Sequence, residues 1–102
     1  MTTPAPGTVP CAVDGAALLP ADTGGEQALC AEIRRATAEV LPAGARIAVQ
    51  VVSDHRMHAT AILADGRALR RVSVAVSDRT LSTRSFRMIA EALAQQLRST
   101  KS

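Results

Sequence analysis

The sequence predicts an α+β domain of order α-β-β-β-α, a three-stranded antiparallel meander with two helices packed on one face. Three observations carry this. Residues 23–41 and 82–98 place apolar side chains at helical spacing, and three runs between them alternate with period two. The dipeptide Asp65-Gly66 then separates the second and third runs with a strong hairpin signal. A chain of 102 residues suits one hydrophobic core. We expect a disordered leader over residues 1–10 and a single domain over 11–102.

The first ten residues, MTTPAPGTVP, lack the basic and apolar regions of a signal peptide. They read as a flexible leader, or as a start methionine on an already trimmed mature sequence. Residues 11–22 have neither period and contain the turn signal Asp14-Gly15. They are expected to form an ordered coil, with Val13, Leu18 and Leu19 lying over the core.

The first helix opens on Thr23-Gly24-Gly25-Glu26, a capping-box pattern in which the Thr hydroxyl takes one free N–H and Glu returns to another. Leu29, Ile33, Thr37, Val40 and Leu41 then share one stripe, and Pro42 and Gly44 end it. The strands are expected at 46–53, 57–64 and 67–77. They place Ile47, Val49 and Val51, then Met57, Ala59, Ala61 and Leu63, then Val72, Val74 and Val76 on one face. A two-residue turn at Asp65-Gly66 pairs Leu63 with Ala68, Ala59 with Val72 and Met57 with Val74. A three-residue loop over 54–56 sets Val51 against Ala59 and Ile47 against Leu63. This choice keeps the apolar sets together, because a one-residue slip inverts every side chain. The last helix opens on Leu81, Ser82 and Phe86, a hydrophobic staple around an N-cap serine. Its stripe runs Phe86, Ile89, Ala90, Leu93, Ala94 and Leu97.

A hydrophobic fraction of 47% against 21% charged residues excludes a disordered chain. Phe86 is the only aromatic, so the core is aliphatic. No apolar run approaches the ~20 residues of a membrane-spanning helix. Net charge is +3 but unevenly placed: residues 1–45 carry −3 and residues 46–102 carry +6. The second half is a candidate anion-facing region, with a solvated basic surface as the simpler account.

No catalytic constellation emerges. The histidines, His55 and His58, have no Ser or Cys at nucleophile spacing, and Asp54, Asp65 and Asp78 fall at strand ends where Asp favours turns. There is no glycine-rich phosphate loop, calcium loop or C-x-x-C pair. We therefore expect no enzyme activity, cofactor or metal. Cys11 and Cys30 form an even count in a small domain, one of them in an otherwise unanchored segment, which suggests a disulfide. Two reduced, buried thiols are the alternative.

Two surfaces remain. On the helix-free sheet face, Gln50, Val52, His58, Thr60, Ile62, Leu69 and Arg71 combine apolar and polar side chains as a candidate protein-contact patch. A solvated sheet face explains the same residues equally well. At the start of the second helix, Arg79, Arg84 and Arg87 form a candidate anion-binding cluster.

Two resemblances follow. The element order and the basic start of the last helix resemble double-stranded-RNA-binding domains. That similarity implies that Arg79, Arg84 and Arg87 contact phosphates while the 54–56 loop reaches a minor groove. The Gly-Pro-x-His loop and lysine-rich helix start of that family are absent here. The strings C-A-V-D-G-A-A-L-L-P, G-G-E-Q-A-L-C, A-D-G-R-A-L, V-S-D-R-T-L and F-R-M-I-A-E-A-L resemble small exported proteobacterial proteins of unknown function. This second resemblance implies a periplasmic or secreted setting, a Cys11–Cys30 disulfide and no assigned activity. The expected function is a non-catalytic binding or structural domain whose partner is a protein or envelope component. The alternative is a cytoplasmic module that binds duplex RNA.

Overall fold

A computed structural model describes residues 10–101 of the chain. Its elements run β1 (Cys11–Asp14), two short 3-10 turns (Ala16–Leu18 and Ala21–Thr23), α1 (Gly25–Thr37), β2 (Arg46–Ser53), β3 (Arg56–Ile62), β4 (Val72–Ala75) and α2 (Thr83–Lys101). The fold is α+β, as the sequence predicts, but the sheet has four strands in the order β1-β2-β3-β4. The leader expected over 1–10 lies, apart from Pro10, outside the described residues.

The additional strand corrects the coil expected at 11–22. β1 pairs parallel with β2, from Cys11 opposite Ile47 to Asp14 opposite Gln50. Cys11 and Val13 pack against the core while Ala12 and Asp14 are exposed. Parallel neighbours need a long crossover, which α1 supplies. Four residues hold only two alternations, too few to distinguish a strand from a coil by period. Leu19 is buried and Val13 packs on the core as expected, whereas Leu18 is exposed.

α1 starts one residue later than the capping-box reading requires. The Thr23 hydroxyl accepts the Gly25 N–H at 3.2 Å and donates to the Pro20 carbonyl at 2.7 Å, closing the preceding turn. The N-cap itself is Gly24, in the left-handed conformation. Glu26 is thus exposed in the first turn, where its charge favours the helix dipole. Leu29, Cys30, Ile33 and Thr37 are buried, and Thr37 donates its hydroxyl proton to the Ile33 carbonyl at 2.7 Å. That bond satisfies a polar group with no access to water. Val40 and Leu41 reach the core from a turn after the helix, their N–H groups both bonded to the Thr37 carbonyl.

Every residue of the expected α2 stripe is buried, with Phe86, Ile89, Leu93 and Leu97 at its centre. Full burial of such side chains contributes roughly 1.5–3 kcal/mol each. Leu81 is buried ahead of the helix, and its N–H donates to the Asp54 carbonyl at 2.7 Å, joining the α2 start to the β2–β3 hairpin. Ser82 donates its N–H to the Ser85 hydroxyl at 3.1 Å.

Both hairpins keep the expected faces by unexpected means. The β2–β3 turn has two residues, Asp54 and His55, closed by Ser53 opposite Arg56. Val52 is an extra residue on β2, and beyond this bulge Val51 pairs with Met57, Val49 with Ala59 and Ile47 with Ala61. The expected pairing of Val51 with Ala59 is thus two residues out, a shift that preserves which side chains point inward. The β3–β4 loop is one residue longer than expected. Leu63 donates its N–H to the Arg67 carbonyl at 2.8 Å, Gly66 carries a φ of 90°, and Ile62 rather than Leu63 pairs with Ala68. An extra residue between Ala68 and Val72 then restores Ala59 opposite Val72 and Met57 opposite Val74, as the sequence predicts. The long third strand expected over 67–77 is accordingly reduced to β4.

Candidate functional site

Both helices cover the sheet face that carries Ile47, Val49, Val51, Met57, Ala59, Ala61 and Val74. No described element lies over the other face. Strand register sets its side chains in rows: Asp14, Gln50, His58 and Ser73 form one, and Ala12, Ala48 and Thr60 the next. Arg46 lies opposite Ile62 at one end, and Arg56 opposite Ala75 at the other.

Of the residues expected on this face, Gln50, Val52 and Arg71 are exposed, and His58, Thr60 and Ile62 are half-buried among their neighbours. Val52 owes its 46% exposure to its place at the bulge. Gln50 neighbours His58, not Thr60, because of the two-residue shift in register. Leu69 does not belong here. It packs against the core, with its N–H bonded to the Ala61 carbonyl at 2.9 Å, because the one-residue shift at Ile62–Ala68, undone by the extra residue before Val72, inverts the expected side-chain order of 68 and 69. Ala68, opposite Ile62, takes the open side instead.

His58 Nδ1 sits 2.9 Å from the Ser73 hydroxyl. Partial burial, followed by the charges of Arg71 and Arg56, holds the His58 imidazole below its ordinary pKa. Burial and the two nearby cations thus both favour a neutral His58. Arg46, Arg56 and Arg71 make no ion pair among the described residues. Asp14 is the sole carboxylate on the open side of the described strands.

The arginines near α2 are exposed, and two of them face different neighbours. Arg87 lies 3.8 Å from Glu32 on α1. Glu32 also binds Arg35, and that hydrogen bond, with the charges of both arginines, lowers the Glu32 pKa. Arg87 thus bridges the helix layer, with part of its charge already matched. Arg79 instead lines an open groove of about 820 Å³ shared with Asp54, His55, Arg56 and Asp78. Acids and bases mix there, and His55 Nδ1 is already 2.7 Å from an Asp54 carboxylate oxygen. Asp65 accepts the Arg67 N–H at 2.9 Å, and Asp78 adopts a φ of 65°, both turn roles.

Cys11 and Cys30 form a disulfide, with their α-carbons 5.8 Å apart, joining β1 to α1. Among the described residues, no group of three or more His, Cys, Asp and Glu side chains is placed to hold a metal ion. No described helix is long and apolar enough to cross a membrane. Comparison of the chain with protein-family models, curated proteins and solved structures gives no match. What the described residues present is a disulfide-stapled α+β sandwich of two layers, with no described element over the outer face of its sheet.

Proposed function

We propose that this protein is a non-catalytic binding domain, exported to the periplasm or secreted, that meets a protein or envelope component through its helix-free sheet face. The observation that carries this reading is the face itself. It offers half-buried Ile62 and Thr60, exposed Val52 and arginines that make no ion pair among the described residues, the mixed composition of a contact surface. The Cys11–Cys30 disulfide supports export, since such bridges persist in oxidising compartments. The resemblance to small exported proteins points the same way.

A photo-crosslinking residue at Thr60, compared with one at Gln95 on the exposed side of α2, tests the face in the native host. A discrete adduct from Thr60 with none from Gln95 is expected; the reverse pattern rejects the assignment. Fractionation should place the chain in the envelope or medium with no free thiol. A reduced chain in the cytoplasm contradicts export.

A cytoplasmic duplex-RNA-binding module is the second reading, favoured by Arg56 and Arg79 lining one groove at the hairpin tip. It requires affinity that falls steeply with salt and depends on Arg84 and Arg87. An Arg84→Ala/Arg87→Ala variant with unchanged affinity ends it.

A further inference from the structure

We infer that the partner surface seated on the open sheet face is an acidic protein surface, a helix or strand carrying carboxylates along its flanks. This rests on the binding reading above and specifies its partner class. Arg46 and Arg56 stand at opposite ends of the face. Their rows are separated by the six-residue step from Ile62 to Arg56 on β3, roughly 20 Å of strand. Arg71 borders the same floor on the β4 side, close enough to bear on His58. Between them lie the short side chains of Ala12, Ala48, Thr60 and Ser73, with Gln50 and His58 in the central row, beneath three long cationic ones.

Charge decides the class of partner. None of the three guanidinium groups makes an ion pair among the described residues, although Arg56 shares its groove with Asp54 and Asp78, and Asp14 is the only carboxylate on the open side of the described strands. A low floor of alanine and hydroxyl side chains with half-buried Ile62, rimmed by cations, complements a surface whose apolar ridge is flanked by Asp and Glu. Nucleic acid fits less well. The only Phe, Phe86, is buried in the core, and Ala12, Ala48 and half-buried Ile62 give the face an apolar strip that a charged duplex backbone leaves unmet.

The test uses the intact oxidised protein, isotope-labelled for amide spectra, and three probes. One is a synthetic amphipathic helical peptide with Ala on one face and Glu along both flanks. The second carries Gln in place of Glu, and the third is a duplex RNA of arbitrary sequence. The Glu peptide should shift amides within 46–52, 56–62 and 71–75. Affinity should fall about tenfold for the Gln peptide and for the Arg46→Gln/Arg56→Gln/Arg71→Gln variant, as expected from three exposed charge pairs. The variant's melting temperature checks that it folds. Equal binding of the Glu and Gln peptides on these strands overturns the acidic assignment and leaves the open-face reading standing. Shifts confined to α1 and α2, tighter seating of the RNA on the face, or no sheet response to any peptide overturns both.

Discussion

Gly15 lies so close to the backbone of Val51 that a β-carbon on it would stand 2.4 Å from the Val51 carbonyl oxygen. The residue follows β1, carries a φ of 80° and starts the 3-10 turn that leads back toward α1. It couples the added edge strand to the bulged end of β2.

Gly15→Ala should therefore destabilise the protein by about 2–4 kcal/mol, combining left-handed backbone strain with a clash against rigid main chain. Gly66→Ala is the control. Gly66 has a φ of 90°, but a β-carbon there would meet nothing within 4 Å, so only the strain remains, about 1–2 kcal/mol. Urea denaturation of both variants measures the difference, and equal losses contradict the close approach.

The Cys11–Cys30 bridge closes a loop with a sequence separation of 19, for which chain entropy gives about 3 kcal/mol. Cys11→Ser/Cys30→Ser, or added reductant, should lower stability by about that amount. Loss of protection should concentrate in β1, since the bridge holds this strand to α1. Hydrogen exchange resolves the site, and uniform loss across α2 speaks against the pairing.

His58 gives the sheet face a pH signature. Its folded pKa is depressed by partial burial and by Arg71 and Arg56, while Ser73 and Gln50 are its polar neighbours in the row and Asp14 lies at the row's far end. As pH falls, the unfolded chain takes up the proton first, near about pH 6.5. Stability from this group is thus full above that range, declines as pH drops through it, and levels off below the folded pKa. His58→Gln should remove that slope. Arg71→Gln should raise the His58 midpoint in an NMR titration; an unchanged midpoint places Arg71 away from the face.

Leu69 tests the inverted side-chain order before β4. Packed against the core, it should cost about 1–2 kcal/mol when cut to alanine, part of the penalty of a fully buried leucine. Val52→Ala, at an exposed bulge, should stay within about 0.5 kcal/mol. Equal effects in thermal melts would return Leu69 to the open face.

The legible parts of this fold are those governed by long periodicity. The α2 stripe from Phe86 to Leu97 spans several turns, and Val49, Ala59 and Val74 keep their faces whatever the register. What periodicity does not encode is where a chain inserts an extra residue. Val52 and the 69–71 stretch each hold one, and the resulting bulges correct the parity that the turn lengths at 54–55 and 64–66 would otherwise invert. β1 is hidden from a periodicity argument because four residues give too short a pattern and its partner, β2, lies across a helix in sequence. The open face is legible through Gln50, Thr60 and Arg71. Arg46 and Arg56, at strand starts, join it only once the register is known. The arginines at 79, 84 and 87 are close in sequence, yet Arg87 turns to Glu32 in the helix layer.

The most direct measurement is oxidative footprinting of the protein free in solution and in a native envelope preparation. Val52 and Ile62 report the open face, and Met88, 52% exposed on α2, reports the opposite side. If the open sheet face is the contact surface, Val52 and Ile62 lose reactivity in the envelope sample while Met88 keeps it. Protection of Met88 with Val52 and Ile62 unchanged would contradict it.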